Sequence, residues 1–160
     1  MLGKNFLTVK EVTHGKGVFA SKNFENGEKI CDFHGPLLTF AELPTPYDSV
    51  ADHYVQIGEN LNLGPSGGVD DLINHSCSPN SGLKIKGANV ALVAIKNIEN
   101  GEEITWDYST TIRGDEWVMR CECGSKNCRK IISDFKYLPL ETQRKYIDLG
   151  IVPEYIKKIS

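Results

Sequence analysis

Four of the chain's five cysteines fall where one metal ion could gather them, and no other feature constrains the fold as much. Cys121, Cys123 and Cys128 form a tight trio around Gly124. Cys77 lies far upstream, inside Asn74-His75-Ser76-Cys77-Ser78-Pro79-Asn80. Zinc takes four tetrahedral ligands, and thiolates are its favoured structural ones. One structural zinc held by Cys77, Cys121, Cys123 and Cys128 would clamp the Asn74-His75 loop against the C-terminal part of the chain. The alternatives are a redox Cys-x-Cys pair or buried apolar thiols. A disulfide between Cys121 and Cys123 would strand the third cysteine of the trio, so the trio is read as a metal knuckle. An odd cysteine count fits a disulfide framework poorly. It points instead to a reducing compartment, cytoplasm or nucleus. Cys31 sits in a strand-like run and is expected in the core.

The 160 residues, 40% of them hydrophobic, suffice for one domain with a real core. No run of about eighteen apolar residues occurs, so no membrane span is expected. The start, Met1-Leu2-Gly3-Lys4-Asn5, lacks the marks of a secretory signal. A net charge of −3 argues against a surface that grips nucleic acid. Direct nucleic-acid binding is therefore not expected, and a basic protein or peptide is the partner that the charge suits.

The first hundred residues read as short strands cut by turns. Strand-like stretches are Phe6 to Val12, Val18 to Ala20, Lys29 to Phe33, Tyr54 to Ile57, Leu61 to Leu63 and Val90 to Ile98. Asn26-Gly27 and Asn100-Gly101 are tight-turn signals. Pro44 and Pro46 mark one loop, and Gly64 to Gly68 another. The architecture expected is mostly β, built of small sheets. From Leu138 to Ser160, the spacing of Leu140, Tyr146, Ile147, Leu149 and Ile151 predicts one or two helices, with Gly150 as a C-cap.

His75 and Cys77 share a face if their segment is extended. A metal-bound thiolate would not attack a substrate, so a hydrolytic pair is set aside. Gly15-Lys16-Gly17 is either a hairpin turn or a backbone that a nucleotide-like cofactor can approach closely, since glycine has no Cβ. It is not a phosphate loop. The run Glu102-Glu103-Ile104-Thr105-Trp106-Asp107-Tyr108 is strand-like, and by itself reads as core.

Taken in order, Gly15 to Ala20, Ile73 to Asn80, Gly101 to Tyr108 and the cysteine knuckle resemble the SET-domain protein-lysine N-methyltransferases with a post-SET zinc-binding segment. The resemblance covers residues 5 to about 130. It implies a mostly-β SET-domain fold of several small sheets, with the Asn74-His75 segment threaded in a knot-like way. The division it implies is a SET domain over residues 1–115, a knuckle over 116–130 and a helical extension over 131–160, forming one compact unit. It further implies S-adenosylmethionine as methyl donor and a lysine as acceptor, carried by a histone tail or another basic protein, the two meeting through a narrow channel.

By the same resemblance, Lys16, Gly17, Val18, Asn74 and His75 contact the cofactor, and Tyr108 is the catalytic tyrosine. Tyr54 is assigned to the channel or cofactor, and Trp117 to stacking on adenine. Trp106 stands in the channel where the family usually has phenylalanine or tyrosine. Its larger ring should leave room for one or two methyl groups rather than three. Asp71-Leu72 replaces the family's frequent Arg-Phe, removing a cation near the cofactor. No pre-SET cysteine cluster precedes the first strand. Asp48, Asp52, Asp70 and Asp71 form a candidate acidic rim for a basic peptide, or else are solvated loop residues. A catalytically silent SET-like interaction module is the alternative function.

Overall fold

The computed structural model describes residues 6–13, 15–44, 54–114 and 117–158. In chain order the strands are β1 (Leu7–Val12), β2 (Gly15–Ala20), β3 (Lys29–Phe33), β4 (Leu37–Leu38), β5 (Val55–Gly58), β6 (Leu61–Leu63), β7 (Asn74–His75), β8 (Ser81–Lys86), β9 (Asn89–Ala94), β10 (Thr105–Trp106), β11 (Met119–Arg120) and β12 (Ile131–Ile132). Two helices, α1 (Leu140–Asp148) and α2 (Glu154–Lys157), follow. The mostly-β expectation holds. Part of the Pro44–Pro46 loop, and Asp48 and Asp52, lie outside the described residues.

The strands assemble into five small sheets among the described residues. The β1–β2 hairpin is antiparallel, with Leu7 opposite Ala20 and Val12 opposite Gly15. Strands β3-β9-β8 and β4-β6-β5 form three-stranded antiparallel sheets. The short pair β11–β12 carries the start of the knuckle. Among the described residues only β7 and β10 pair in parallel, Asn74 with Thr105 and His75 with Trp106. Chain segments far apart in sequence thus meet at two residues each, where the resemblance had placed the interlocked segment.

Gly27 and Gly101 sit at φ +91° and +94°, where an L side chain is strained. Both asparagine-glycine turns form as expected, closed by Glu28 N–H to Glu25 O at 2.9 Å and Glu102 N–H to Glu99 O at 3.0 Å. They brace each other. Asn26 N–H donates to Asn97 Oδ1 and Asn100 N–H to Asn23 Oδ1.

The main core gathers Val18, Ile30, Leu83, Leu92, Ile98, Ile104 and Trp106 between the hairpin and the two larger sheets. Cys31 packs against it, and burial pushes its thiol up to about 12, as suits a core residue. A second cluster forms where the C-terminal segment docks: Val93, Phe135, Leu138, Tyr146, Ile151, Tyr155 and Ile156. Helix α1 ends as predicted. Gly150, at φ +75°, lets Ile151 N–H reach back to Tyr146 O. Leu140 is a correction to the predicted face. It opens the helix, stays 68% exposed, and Leu138 takes the buried place instead.

Strand β8 escaped the sequence reading because Gly82 interrupts it. The structure gives the reason for the glycine. A Cβ there would lie 2.6–2.8 Å from three atoms of Ile151, so β8 and the C-terminal segment meet backbone to side chain. Gly82→Ala is expected to lower stability by about 1–3 kcal/mol by overpacking this contact, as a shift in the urea midpoint at unchanged m-value.

Candidate active site

Two neighbouring strands build the site. Residues after β10 enter a 3-10 turn, Tyr108–Thr111, whose N-cap is Asp107, its Oδ1 accepting Ser109 N–H at 3.0 Å. The cap fixes where the turn starts. Tyr108 is therefore delivered beside β7: its N–H donates to His75 Nδ1 at 3.1 Å, and its Oη–H donates to Ile73 O at 2.8 Å. The Trp106 and Tyr108 rings tilt together at 4.7 Å, and Phe33 meets Trp106 edge-on at 6.0 Å. These side chains, with Ile73, Tyr54, Leu63, Ile112 and Trp117, line one cleft with a cavity volume of about 100 Å³ that opens to solvent. The structure thus brings Tyr54, Trp106, Tyr108 and Trp117 together.

The other predicted residues gather on the opposite flank of β7. Asn74 Nδ2 donates to Lys16 O at 2.8 Å and to Glu103 Oε1 at 3.1 Å. Gly17 has a steric reason that the sequence does not show. A Cβ there would lie 2.5 Å from Glu103 Oε1, so this glycine makes room for the carboxylate that holds Asn74. The open backbone is at Gly15, φ +122°, with nothing within 4 Å of the Cβ position. Val18 is wholly buried, and its carbonyl accepts Ile104 N–H. Its side chain belongs to the core and only steadies the strand that carries Lys16.

His75 points inward. Nδ1 accepts from Tyr108, so the ring proton sits on Nε2, which donates to Cys77 Sγ at 3.3 Å. Burial outweighs the favourable charge of Asp107, 3.6 Å from Nδ1, and holds the imidazole near 4. The ring is neutral at physiological pH. Cys77, 1% exposed and surrounded by sulfur, is no nucleophile.

The four sulfurs of Cys77, Cys121, Cys123 and Cys128 lie within 4.8 Å of one another, an arrangement able to hold a metal ion. Cys121 Sγ is 3.7 Å from Cys77 Sγ and 3.6 Å from Cys128 Sγ. Backbone N–H groups of Cys77 and Arg129 point at Cys123 and Cys77 sulfurs respectively. Such donors favour thiolates.

Asp107, Arg129 and Tyr146 escaped the sequence reading. Asp107 is 1% exposed and takes a two-pronged ion pair from Arg129, at 2.9 and 2.8 Å. Tyr146 Oη–H from α1 also donates to it, at 2.9 Å. The Asp-Tyr-Ser run carries an N-cap signal that could have flagged Asp107; nothing local marks its distant partners. The acidic rim is not supported by Asp70 and Asp71. Asp70 is buried, accepting from His34 N–H and Ser66 Oγ–H, and Asp71 caps Ser66 and Gly67 N–H groups.

The family model described as SET domain matches residues 15–109, from β2 through the turn that carries Tyr108. The chain belongs to the SET-domain family. The histone-lysine N-methyltransferase trithorax of Drosophila virilis is 30% identical over 131 residues, covering 75% of this chain and 3% of that protein. The histone-lysine N-methyltransferase, H3 lysine-36 specific, of Yarrowia lipolytica is 31% identical over 141 residues, covering 79% of this chain and 18% of that one. The chain therefore spans only a small share of these relatives. Among solved structures, KRYPTONITE in complex with mCHH DNA, H3(1-15) peptide and SAH superposes with a TM-score of 0.63 at 24% identity, over 79% of this chain and 29% of that one. That likeness carries the fold.

In this SET-domain chain the buried ion pair should dominate local stability. Asp107→Asn leaves Arg129 without its counter-charge and is expected to cost about 3–5 kcal/mol. Tyr146→Phe removes one hydrogen bond and should cost about 1 kcal/mol. Urea unfolding of both variants checks the ranking.

Proposed function

We propose that the chain is an S-adenosylmethionine-dependent protein-lysine N-methyltransferase acting on a histone tail or another basic protein, and that its knuckle holds one structural zinc. The observation that carries the reading is Tyr108, held by hydrogen bonds to His75 Nδ1 and Ile73 O and facing a cleft walled by Trp106. Family membership and the names of the relatives support it. The catalytically silent alternative is disfavoured because Tyr108, Asn74 and His75 are all held in place.

When bound, S-adenosylmethionine supplies an electrophilic sulfonium methyl group. Its site fits the flank where Gly15 leaves open backbone beside Lys16 and Asn74, with His75 backbone on the adjoining strand. Tyr54 and Trp117, on the cleft side, offer aromatic walls. Tyr108 acts on the acceptor lysine. Its hydroxyl proton is committed to Ile73 O, so towards the amine the phenol oxygen acts as an acceptor for an N–H rather than as a donor. That orients the amine's own lone pair away from the phenol, and positioning of this kind removes several kcal/mol of the barrier. Phe33, Trp106 and Tyr108 exclude water from the channel. A dry channel disfavours the ammonium form, lowering the amine's pKa from its ordinary value of about 10.4. Only the neutral amine reacts, so the rate should rise with pH up to that lowered pKa and level off above it.

A tetrahedral zinc with sulfur ligands at about 2.3 Å needs sulfurs roughly 3.8 Å apart. The separations of 3.6 and 3.7 Å meet this before any metal is added. Zinc would be structural, remote from the transferring methyl.

The decisive assay is methyl transfer from S-adenosylmethionine to core histones and lysine-rich proteins, read by mass spectrometry. Tyr108→Phe should lower kcat by about 100-fold while cofactor binding persists; equal rates for the two proteins would exclude the assigned role. Trp106, 4% exposed, leaves little free space, so mono- and dimethyl-lysine should dominate and Trp106→Phe should add trimethyl product. Trimethyl-lysine as the main product of the parent protein would reverse the assignment. Chelation should release one zinc per chain, by elemental analysis, and loosen residues 121–128, seen as faster amide exchange there.

A further inference from the structure

Asn62 lies in the middle of β6, the central strand of its sheet, with Leu38 opposite on one side and Gln56 on the other. It is 3% exposed, yet its side-chain Nδ2 has no hydrogen-bond partner among the described residues. An unpaired buried amide N–H costs about 1–3 kcal/mol, and such groups in folded proteins call for a reason. Asn62 lines the same cleft as Trp106, Tyr108 and Tyr54. Several other polar groups of that lining are committed. Gln56 donates to Gly58 O and accepts from Arg113 N–H. Asp70 and Asp71 hold the Ser66–Gly67 turn. Arg113 faces Glu59 and Tyr155 O.

We propose that Asn62 is a substrate-selecting residue, whose amide donates a hydrogen bond to a neutral carbonyl of the polypeptide segment beside the target lysine. This rests on the methyl-transfer reading above. The ligand is assigned as substrate because Asn62 lies in the cleft walled by Trp106 and Tyr108, the residues that face the acceptor lysine. The acceptor is neutral because the cleft is mostly apolar and aromatic, and its nearby cation, Arg113, is already paired. A carboxylate desolvated there would go uncompensated. A site that leaves a donor unpaired until the substrate arrives discriminates strongly against segments that cannot fill it.

The test is steady-state methyl transfer to core histones and to a positional-scanning array of lysine-centred peptides, comparing the parent protein with Asn62→Leu and Asn62→Asp. Asn62→Leu removes the donor at similar volume. It is expected to raise the urea midpoint, to raise peptide KM about tenfold, and to change kcat and cofactor Kd less than twofold. Asn62→Asp offers only acceptors, so the array preference should move towards residues that carry N–H donors. A folded Asn62→Leu with unchanged KM and unchanged array preference overturns the proposal while leaving the methyltransferase reading intact. A parent protein that transfers no methyl to any substrate overturns both.

Discussion

The buried carboxylate of Asp107 is the constraint on which the site depends. A charge taken out of water costs several kcal/mol unless it is fully paired, and this one is 1% exposed. Its partners come from three places: Ser109 in its own turn, Arg129 beyond the knuckle, and Tyr146 in α1. None can withdraw without leaving a charge or a polar atom buried alone. The place of Tyr108 is therefore not a local property of its turn. It is set by a carboxylate that also binds the knuckle to the C-terminal helices, so these parts move together or not at all. Burial pushes the Tyr146 phenol well above its ordinary range, and the adjacent Asp107 charge adds to this, so Tyr146 stays a donor.

Arg129 couples this carboxylate to the sulfur cluster. It follows Cys128 directly, its backbone N–H points at Cys77 Sγ, and its guanidinium grips Asp107. Lys130, next in line, sits at φ 68°, and its carbonyl accepts Cys121 N–H at 2.8 Å. A left-handed lysine costs roughly 1–2 kcal/mol. It persists because the residue before it is held by two anchors and the carbonyl after the bend closes the knuckle. The same few residues thus satisfy the cysteine sulfurs and the ion pair, and neither cluster can be optimised without the other.

The parts legible in the sequence were those with local or compositional causes. The cysteine set, the two asparagine-glycine turns, the Gly150 cap and the strands with apolar alternation all announce themselves within a few residues. The functional segments were legible because their motifs keep order and spacing. What escaped was decided by distant partners. Gly82 reads as a strand breaker until Ile151 is seen occupying its Cβ space. Nothing local to Gly17 shows that its Cβ space is taken by the Glu103 carboxylate. Asp70 reads as surface charge, yet it is turned inward by the backbone of His34 and by Ser66. Asp107 sits inside a recognised motif, but its partners, at positions 129 and 146, carry no local signature.

Register explains why so small a parallel pair suffices to organise both flanks. Successive side chains on a strand point to opposite faces, so Asn74 turns to Lys16 and Glu103 while His75 turns to Cys77 and Tyr108. A slip of one residue would exchange these faces and place the imidazole beside Lys16 and Glu103 and the amide in the sulfur shell. Two residues of ladder cannot resist that alone. The register is held from outside the pair: Asn80 donates to Glu103 O and accepts from Thr105 N–H, Ser81 Oγ–H donates to Thr105 O, and Ser76 N–H continues the ladder to Trp106 O. These clamps lie in the stretch that also carries Cys77. The Asn74 to Ser81 segment therefore sets the sulfur cluster, the register and the two faces of the candidate active site in one continuous run of chain.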